Sequence, residues 1–124
     1  MSSISVLGSI SDNKPVASPK IQEFFDNFGT HKNMVMSNVS SNRVHSRMMS
    51  IICIDKKFYF QTDKRFSKCE ELKFNPNVSL CIDNMSIEGT CKIIGKPSDK
   101  RGFLELYKIN FPKAYELYSN LSWQ

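Results

Sequence analysis

Apolar and polar positions alternate from Asn33 onward. Met34, Met36 and Asn38 lie on one side and Asn33, Val35 and Ser37 on the other. A two-residue period is the signature of a strand, here over Met34–Val39, and Ser40-Ser41-Asn42 reads as the turn that ends it. Arg43 to Ile54 forms a second, longer strand. Its first half sets Arg43, His45 and Arg47 against Val44, Ser46 and Met48. Near Met48-Met49 the alternation merges into the apolar run Ile51-Ile52-Cys53-Ile54. That change fits a strand that bends and becomes buried on both sides, as barrel strands do. Asp55-Lys56-Lys57 is the next turn and Phe58–Thr62 the third strand, which makes the three a meander. Val78, Leu80 and Ile82 then alternate with Asn77, Ser79 and Asp83. A hairpin turn at Asn84-Met85-Ser86 leads to a fifth strand over Ile87–Lys96, with Gly89 and Gly95 as bulge or close-contact positions.

Helical spacing appears elsewhere. Ile21, Phe24, Phe25 and Phe28 follow the i, i+3, i+4, i+7 pattern, and Gly29 stops them. Ser67 to Phe74 forms a helix with Phe66, Cys69 and Leu72 on one face, ended by Asn75-Pro76. Pro97-Ser98-Asp99 opens another, with Ser98 as N-cap and Phe103 and Tyr107 at i, i+4. Phe111-Pro112 opens a last helix carrying Tyr115 and Tyr118. Residues 1–20, rich in Ser with little periodicity, read as a flexible leader, and 21–124 as one domain. The expected fold is mainly β with flanking helices: a small antiparallel barrel or roll.

The 124 residues carry a formal net charge of +5. The excess sits in one segment, because Arg43–Lys68 holds seven basic residues against Asp55 and Asp63. A balanced body with one basic segment suggests an anionic partner there. The four cysteines (Cys53, Cys69, Cys81, Cys91) form no Cys-x-x-Cys pair and have no His at ligand spacing, which argues against zinc. No apolar run approaches membrane-spanning length, and no signal peptide opens the chain. A reduced, cytoplasmic protein is the expectation.

The most informative stretch runs from Phe58 to Leu72, where an aromatic strand passes into a helix. Ser67-Lys68-Cys69-Glu70 has capping-box form, in which the Ser67 hydroxyl accepts the Glu70 N–H and the Glu70 side chain reaches back. A helix N-terminus beside Lys64, Arg65 and Lys68 describes a phosphate site. It equally describes a solvated basic turn before a helix. Arg47 is the second candidate. A guanidinium entering a buried run needs a partner, either a bidentate phosphate or an ion pair with Glu70 or Glu71. His31 and His45 read as surface or satisfied histidines. No catalytic triad, paired-carboxylate or glycine-rich nucleotide motif stands out, and the catalytic residues stay unknown.

Several motifs, in this order and spacing, resemble the pyridoxamine 5′-phosphate oxidase-like family of FMN-binding split β-barrels, especially its small clostridial-type and general-stress-protein members. They are Arg47-Met48-Met49-Ser50, Phe58-Tyr59-Phe60-Gln61-Thr62, Ser67-Lys68 with Glu71-Leu72, Asn75-Pro76-Asn77-Val78-Ser79-Leu80 and Ile87-Glu88-Gly89-Thr90. The resemblance spans about Ile21 to Tyr118. It implies FMN as cofactor, with Arg47, Ser67 and Lys68 on its phosphate. Backbone groups after Arg47 would meet the flavin ring, making Met48, Met49 and Ser50 its wall, and Gln61 and Thr62 would give supporting contacts. It also implies a homodimer with FMN at the interface. Two departures argue against vitamin B6 oxidation. Ile52 stands where the oxidases carry a Lys, and the chain ends before their substrate-binding C-terminal segment. The last barrel strand is therefore expected to be missing, its edge left to a partner subunit or the helical tail.

The leading functional expectation is an FMN-binding protein acting as a flavin-dependent oxidoreductase on an unidentified small molecule. A second is a non-catalytic flavin- or haem-binding module of the same fold. A third is a small barrel binding single-stranded nucleic acid, since Lys56, Lys57, Lys64 and Arg65 interleave with Phe58, Tyr59, Phe60 and Phe66. Against the third, strand aromatics in so small a domain are mostly core.

Overall fold

The computed structural model describes residues 5–15, 28–63, 67–82 and 85–121. Its antiparallel strands are β1 (Ser5–Pro15), β2 (His31–Ser40), β3 (Arg43–Ile54), β4 (Lys57–Asp63), β5 (Asn77–Ile82) and β6 (Met85–Gly95). They close into a barrel in the order β1-β4-β3-β2-β5-β6, with β6 pairing back onto β1. Helix α1 (Ser67–Phe74) connects β4 to β5. A 3-10 turn at Pro97–Asp99 leads to α2 (Phe103–Asn110) and α3 (Pro112–Leu121).

The meander β2-β3-β4 and the hairpin β5-β6 pair as their alternation predicts, except that Met85 and Ser86, expected in the turn, belong to β6 and pair with Ile82 and Cys81. Both meander turns place two successive residues in the left-handed region: Ser41 and Asn42 (φ 52° and 63°), then Asp55 and Lys56 (φ 53° and 64°). Two such residues are what a tight hairpin needs to match the strand twist. The expected helix over 21–28 lies outside the described residues apart from Phe28, which is buried at its end, before Gly29 at φ 76°.

Ser5–Pro15, within the stretch expected to be a flexible leader, is a barrel strand. It pairs with β4 from Ser5↔Asp63 to Ile10↔Phe58, and with β6 from Leu7↔Gly95 to Pro15↔Ile87. The second pairing shifts register between Leu7 and Gly8 and again between Ser11 and Lys14. These irregularities break the two-residue period, so the sequence looks patternless. At Gly8 the inward side chain is missing because the Phe60 ring occupies its space: a Cβ there would fall within the ring. β1 also supplies the closing strand expected to be absent at the C-terminus, so no barrel edge is left for a tail or partner to cover.

Alternation divides the apolar residues between two cores. Ile10, Met34, Met36, Met49, Ile51, Phe58, Phe60, Val78, Leu80, Ile87 and Cys91 fill the interior, joined by Phe28 and by Leu72 from α1. Leu7, Ile52 and Tyr59 point outward and are covered by Phe103 and Tyr107 of α2. Those two rings, with centroids 5.2 Å apart, are fully buried as their spacing predicts. The start of this helix differs from expectation. Ser98 is not its N-cap; Pro97–Asp99 is a separate turn in which the Lys96 N–H donates to Asp99 Oδ2 at 2.9 Å. α2 begins only after Gly102, at φ 88°.

Gly8→Val forces a branched side chain into the Phe60 ring. It is expected to lower unfolding stability by about 2–4 kcal/mol, read as a lower urea midpoint. An unchanged midpoint would show that β1 does not close the barrel.

Candidate functional site

Strand alternation decides which candidate residues meet. On β3 the parity that buries Met49 and Ile51 also turns Arg47 inward, half-buried at one end of the barrel. Met48 and Ser50 take the opposite face. Met48 is 65% exposed, and Ser50 Oγ donates to Asn33 Oδ1 at 3.2 Å on the outer surface. Side chains of the expected flavin wall are therefore split, with Met49 inside and its neighbours outside.

α1 lies over the end of the barrel where Arg47 emerges. Leu72 anchors it in the core, and Cys69 is buried with its Sγ 3.5 Å from the Asp63 carbonyl oxygen. This anchoring carries Lys68 into the mouth of the barrel at only 6% exposure, with Nζ 3.7 Å from Met49 Sδ. A thioether is a weak acceptor and returns little of the hydration an ammonium loses. Burial, and after it the Arg47 charge, lowers the Lys68 pKa to about 8. Two cations thus lie close together, one of them buried. The neighbouring thiols are uncharged. Burial raises Cys69 and pushes Cys91 up to about 12, so both stay protonated near neutral pH.

Arg47 does not rest directly against an acidic partner. Its Nη2 donates to Asn38 Oδ1 at 3.3 Å, and Asn38 Nδ2 donates to Glu71 Oε1 at 3.0 Å. The ion pair expected with Glu70 or Glu71 is not formed, because the Asn38 amide stands between Arg47 and Glu71. Glu70, expected to close the helix cap, pairs with Lys73 at 3.3 Å on the exposed face. The Ser67 side chain lies outside the described residues, as do Lys64, Arg65 and Phe66, so the capping box and those two cations are not part of the observed geometry.

Gln61 and Thr62 close β4. Among the described residues, Gln61 Oε1 and Thr62 Oγ1 are the buried side-chain atoms without a hydrogen bond. Alternation sends Thr62 inward after Phe60 and Gln61 outward after Tyr59. α3 brings Tyr118 to this end. Burial raises its hydroxyl pKa, Thr62 beside it lowers it in part, and Asp63 and Cys69 raise it further. Even so, no contact of Thr62 Oγ1 reaches hydrogen-bond geometry.

The structure therefore unites Arg47, Met49 and Lys68, and sets Met48, Ser50 and Gln61 on other faces. Sequence reasoning missed Asn38 and Tyr118. Asn38 had a visible signal, since it is the polar member of the inward row Met34, Met36, Asn38. Phe58, Tyr59 and Phe60 are all buried, so they offer no open face on which a nucleic-acid base could stack. Among the described residues, no group of His, Cys, Asp or Glu is placed to hold a metal, and no helix is long and apolar enough to cross a membrane.

In comparisons with protein-family models, curated proteins and solved structures, no match to this chain is found.

Lys68 has a lower pKa folded (about 8) than its reference value of 10.5. Between those values the unfolded chain binds more protons, so stability rises with pH. Relative to Lys68→Met, the wild-type protein should gain up to about 3 kcal/mol between pH 8 and pH 10.5, measured by urea unfolding of both proteins. A constant difference across that range would mean that Lys68 is hydrated.

Proposed function

We propose that the protein binds FMN, with the phosphate held by Arg47 and Lys68, and that it acts as a flavin-dependent oxidoreductase. The carrying observation is that a buried lysine sits beside an inward-facing arginine with a neutral amide, not a carboxylate, against the guanidinium. Two like charges this close repel, and an anion placed between them is attracted by both. The residues present fit a phosphate on this ground. On β4, Thr62 faces inward and its Oγ1 makes no hydrogen bond, a polar atom with unmet capacity. The closed antiparallel barrel is compatible with the split-barrel fold of the pyridoxamine 5′-phosphate oxidase-like family, and the motifs around Arg47 and Lys68 resemble that family's.

When bound, FMN would supply the hydride and electron transfer. The chain's own part is to bind and orient: Arg47 offers a planar donor fork and Lys68 a point charge in a site with little competing water. No described side chain is placed as an acid or base for a particular substrate. A non-catalytic flavin carrier would use the same residues, and turnover with a reduced nicotinamide separates the two.

Homodimer formation belongs to the same proposal. Val39, Val44 and Met48 are exposed on the outer face of β2 and β3. Beside them a groove of about 460 Å³ is lined by Ser37, Val39, Val44, Ser79 and Glu88. Exposed apolar side chains interspersed with serines beside a groove suit a self-complementary contact.

Arg47→Ala and Lys68→Ala should each weaken FMN binding by about tenfold or more while leaving riboflavin, which lacks the phosphate, unaffected. FMN affinity should also fall as pH rises through about 8, where Lys68 loses its charge. Fluorescence titration reads both effects. FMN affinity unchanged in both variants would exclude this site. Light scattering of the FMN-loaded protein at micromolar concentration should give twice the chain mass, and a monomer mass would exclude the dimer.

A further inference from the structure

Asn38 interrupts an apolar row. Met34 and Met36 precede it on the inward side of β2, and both are fully buried; Asn38 itself is 2% exposed. Its Cα partners are His45 on β3 and Val78 on β5, so it sits in the barrel wall at the Arg47 end. A buried amide must find both an acceptor and a donor, or it costs stability. Asn38 finds them in opposite charges: its Oδ1 accepts from Arg47 Nη2 at 3.3 Å, and its Nδ2 donates to Glu71 Oε1 at 3.0 Å. Arginine has only donors and a carboxylate only acceptors, so the amide can be oriented in one way alone.

The chemistry of this bridge differs from that of an ion pair. A direct contact between Arg47 and Glu71 would occupy the guanidinium fork with a carboxylate and cancel its charge toward any other anion. A neutral amide between them anchors the guanidinium at one nitrogen and leaves its charge in place. The tie also acts on the other cation. Glu71 is three residues after Lys68 on α1, so the two share a helix face. Holding Glu71 against the barrel wall helps set the rotation at which α1 delivers Lys68 beside Met49.

We infer that Asn38 is a positioning residue of the anion site, holding Arg47 and α1 in register through Glu71 while keeping the guanidinium un-neutralised. This rests on the phosphate reading of Arg47 and Lys68 and adds the residue that aligns them.

The experiment is the ratio of FMN to riboflavin affinity, by fluorescence titration, in wild type, Asn38→Ala, the Asn38→Asp/Glu71→Gln double variant, and Arg47→Ala. The double variant keeps every hydrogen bond of the bridge but moves the carboxylate against Arg47. A merely structural Asn38 would let it recover the wild-type ratio. The expected result is a ratio about tenfold lower in Asn38→Ala and in the double variant, with riboflavin affinity retained. A wild-type ratio in both, with Arg47→Ala still impaired, overturns the role of Asn38 and leaves the phosphate site standing. A wild-type ratio in Arg47→Ala as well removes the phosphate site and this inference with it. Should neither Asn38 variant fold, Glu71→Ala tests the same tie from the helix side, where an unchanged ratio again overturns it.

Discussion

The structure depends on the pairing of β1 along both its edges. Without it, β4 and β6 would each present a row of unpaired backbone groups, which is costly when buried and a route to aggregation when exposed. β1 satisfies both rows at once. To do so it must bend around the barrel, and its register shifts and Gly8 permit the bend. Closure then defines an inside and an outside. Inside, the methionines of β2 and β3 pack with the phenylalanines of β4. Outside, α2 covers the apolar patch formed by Leu7, Ile52 and Tyr59. α1 is drawn over the mouth by Leu72, which places Lys68 where it sits.

The charge arrangement at the mouth follows from that packing. Lys68 is buried because its helix is anchored by the buried Cys69 and Leu72. The cost of this burial is borne by folding. A site that spends stability to hold two like charges together gains most from a ligand that neutralises them, since binding adds to the stability of the folded state alone. A solvated basic turn would carry no such penalty. Lys68 itself, at 6% exposure, is not a solvated side chain.

Much of this was readable along the chain. Alternation located β2 to β6, and the two turns of the meander fell at Ser41-Asn42 and Asp55-Lys56, where the backbone takes positive φ. α1 begins and ends at the residues its flanking signals marked. Arg47 and Lys68 stood out as cations at the ends of buried elements. β1 did not stand out, because a bulged strand loses its period and Gly8 removes an inward side chain. Ser98 misled because a serine after proline suits a 3-10 turn as well as a helix cap. Met48, Met49 and Ser50 were grouped by the backbone contacts that the family resemblance implies, and strand alternation sends their side chains to opposite faces.

The sequence by itself determined the local elements and the residue types able to hold an anion, because periodicity, turn chemistry and side-chain charge are properties of short stretches. Only the tertiary structure decided that the barrel closes through its N-terminal strand, that Lys68 is buried beside Arg47, and that Asn38 stands between Arg47 and Glu71. Each of these brings together residues far apart in the chain, such as Leu7 with Gly95 or Asn38 with Glu71. Their meeting is set by sheet closure and by burial against a common core, which no local pattern records.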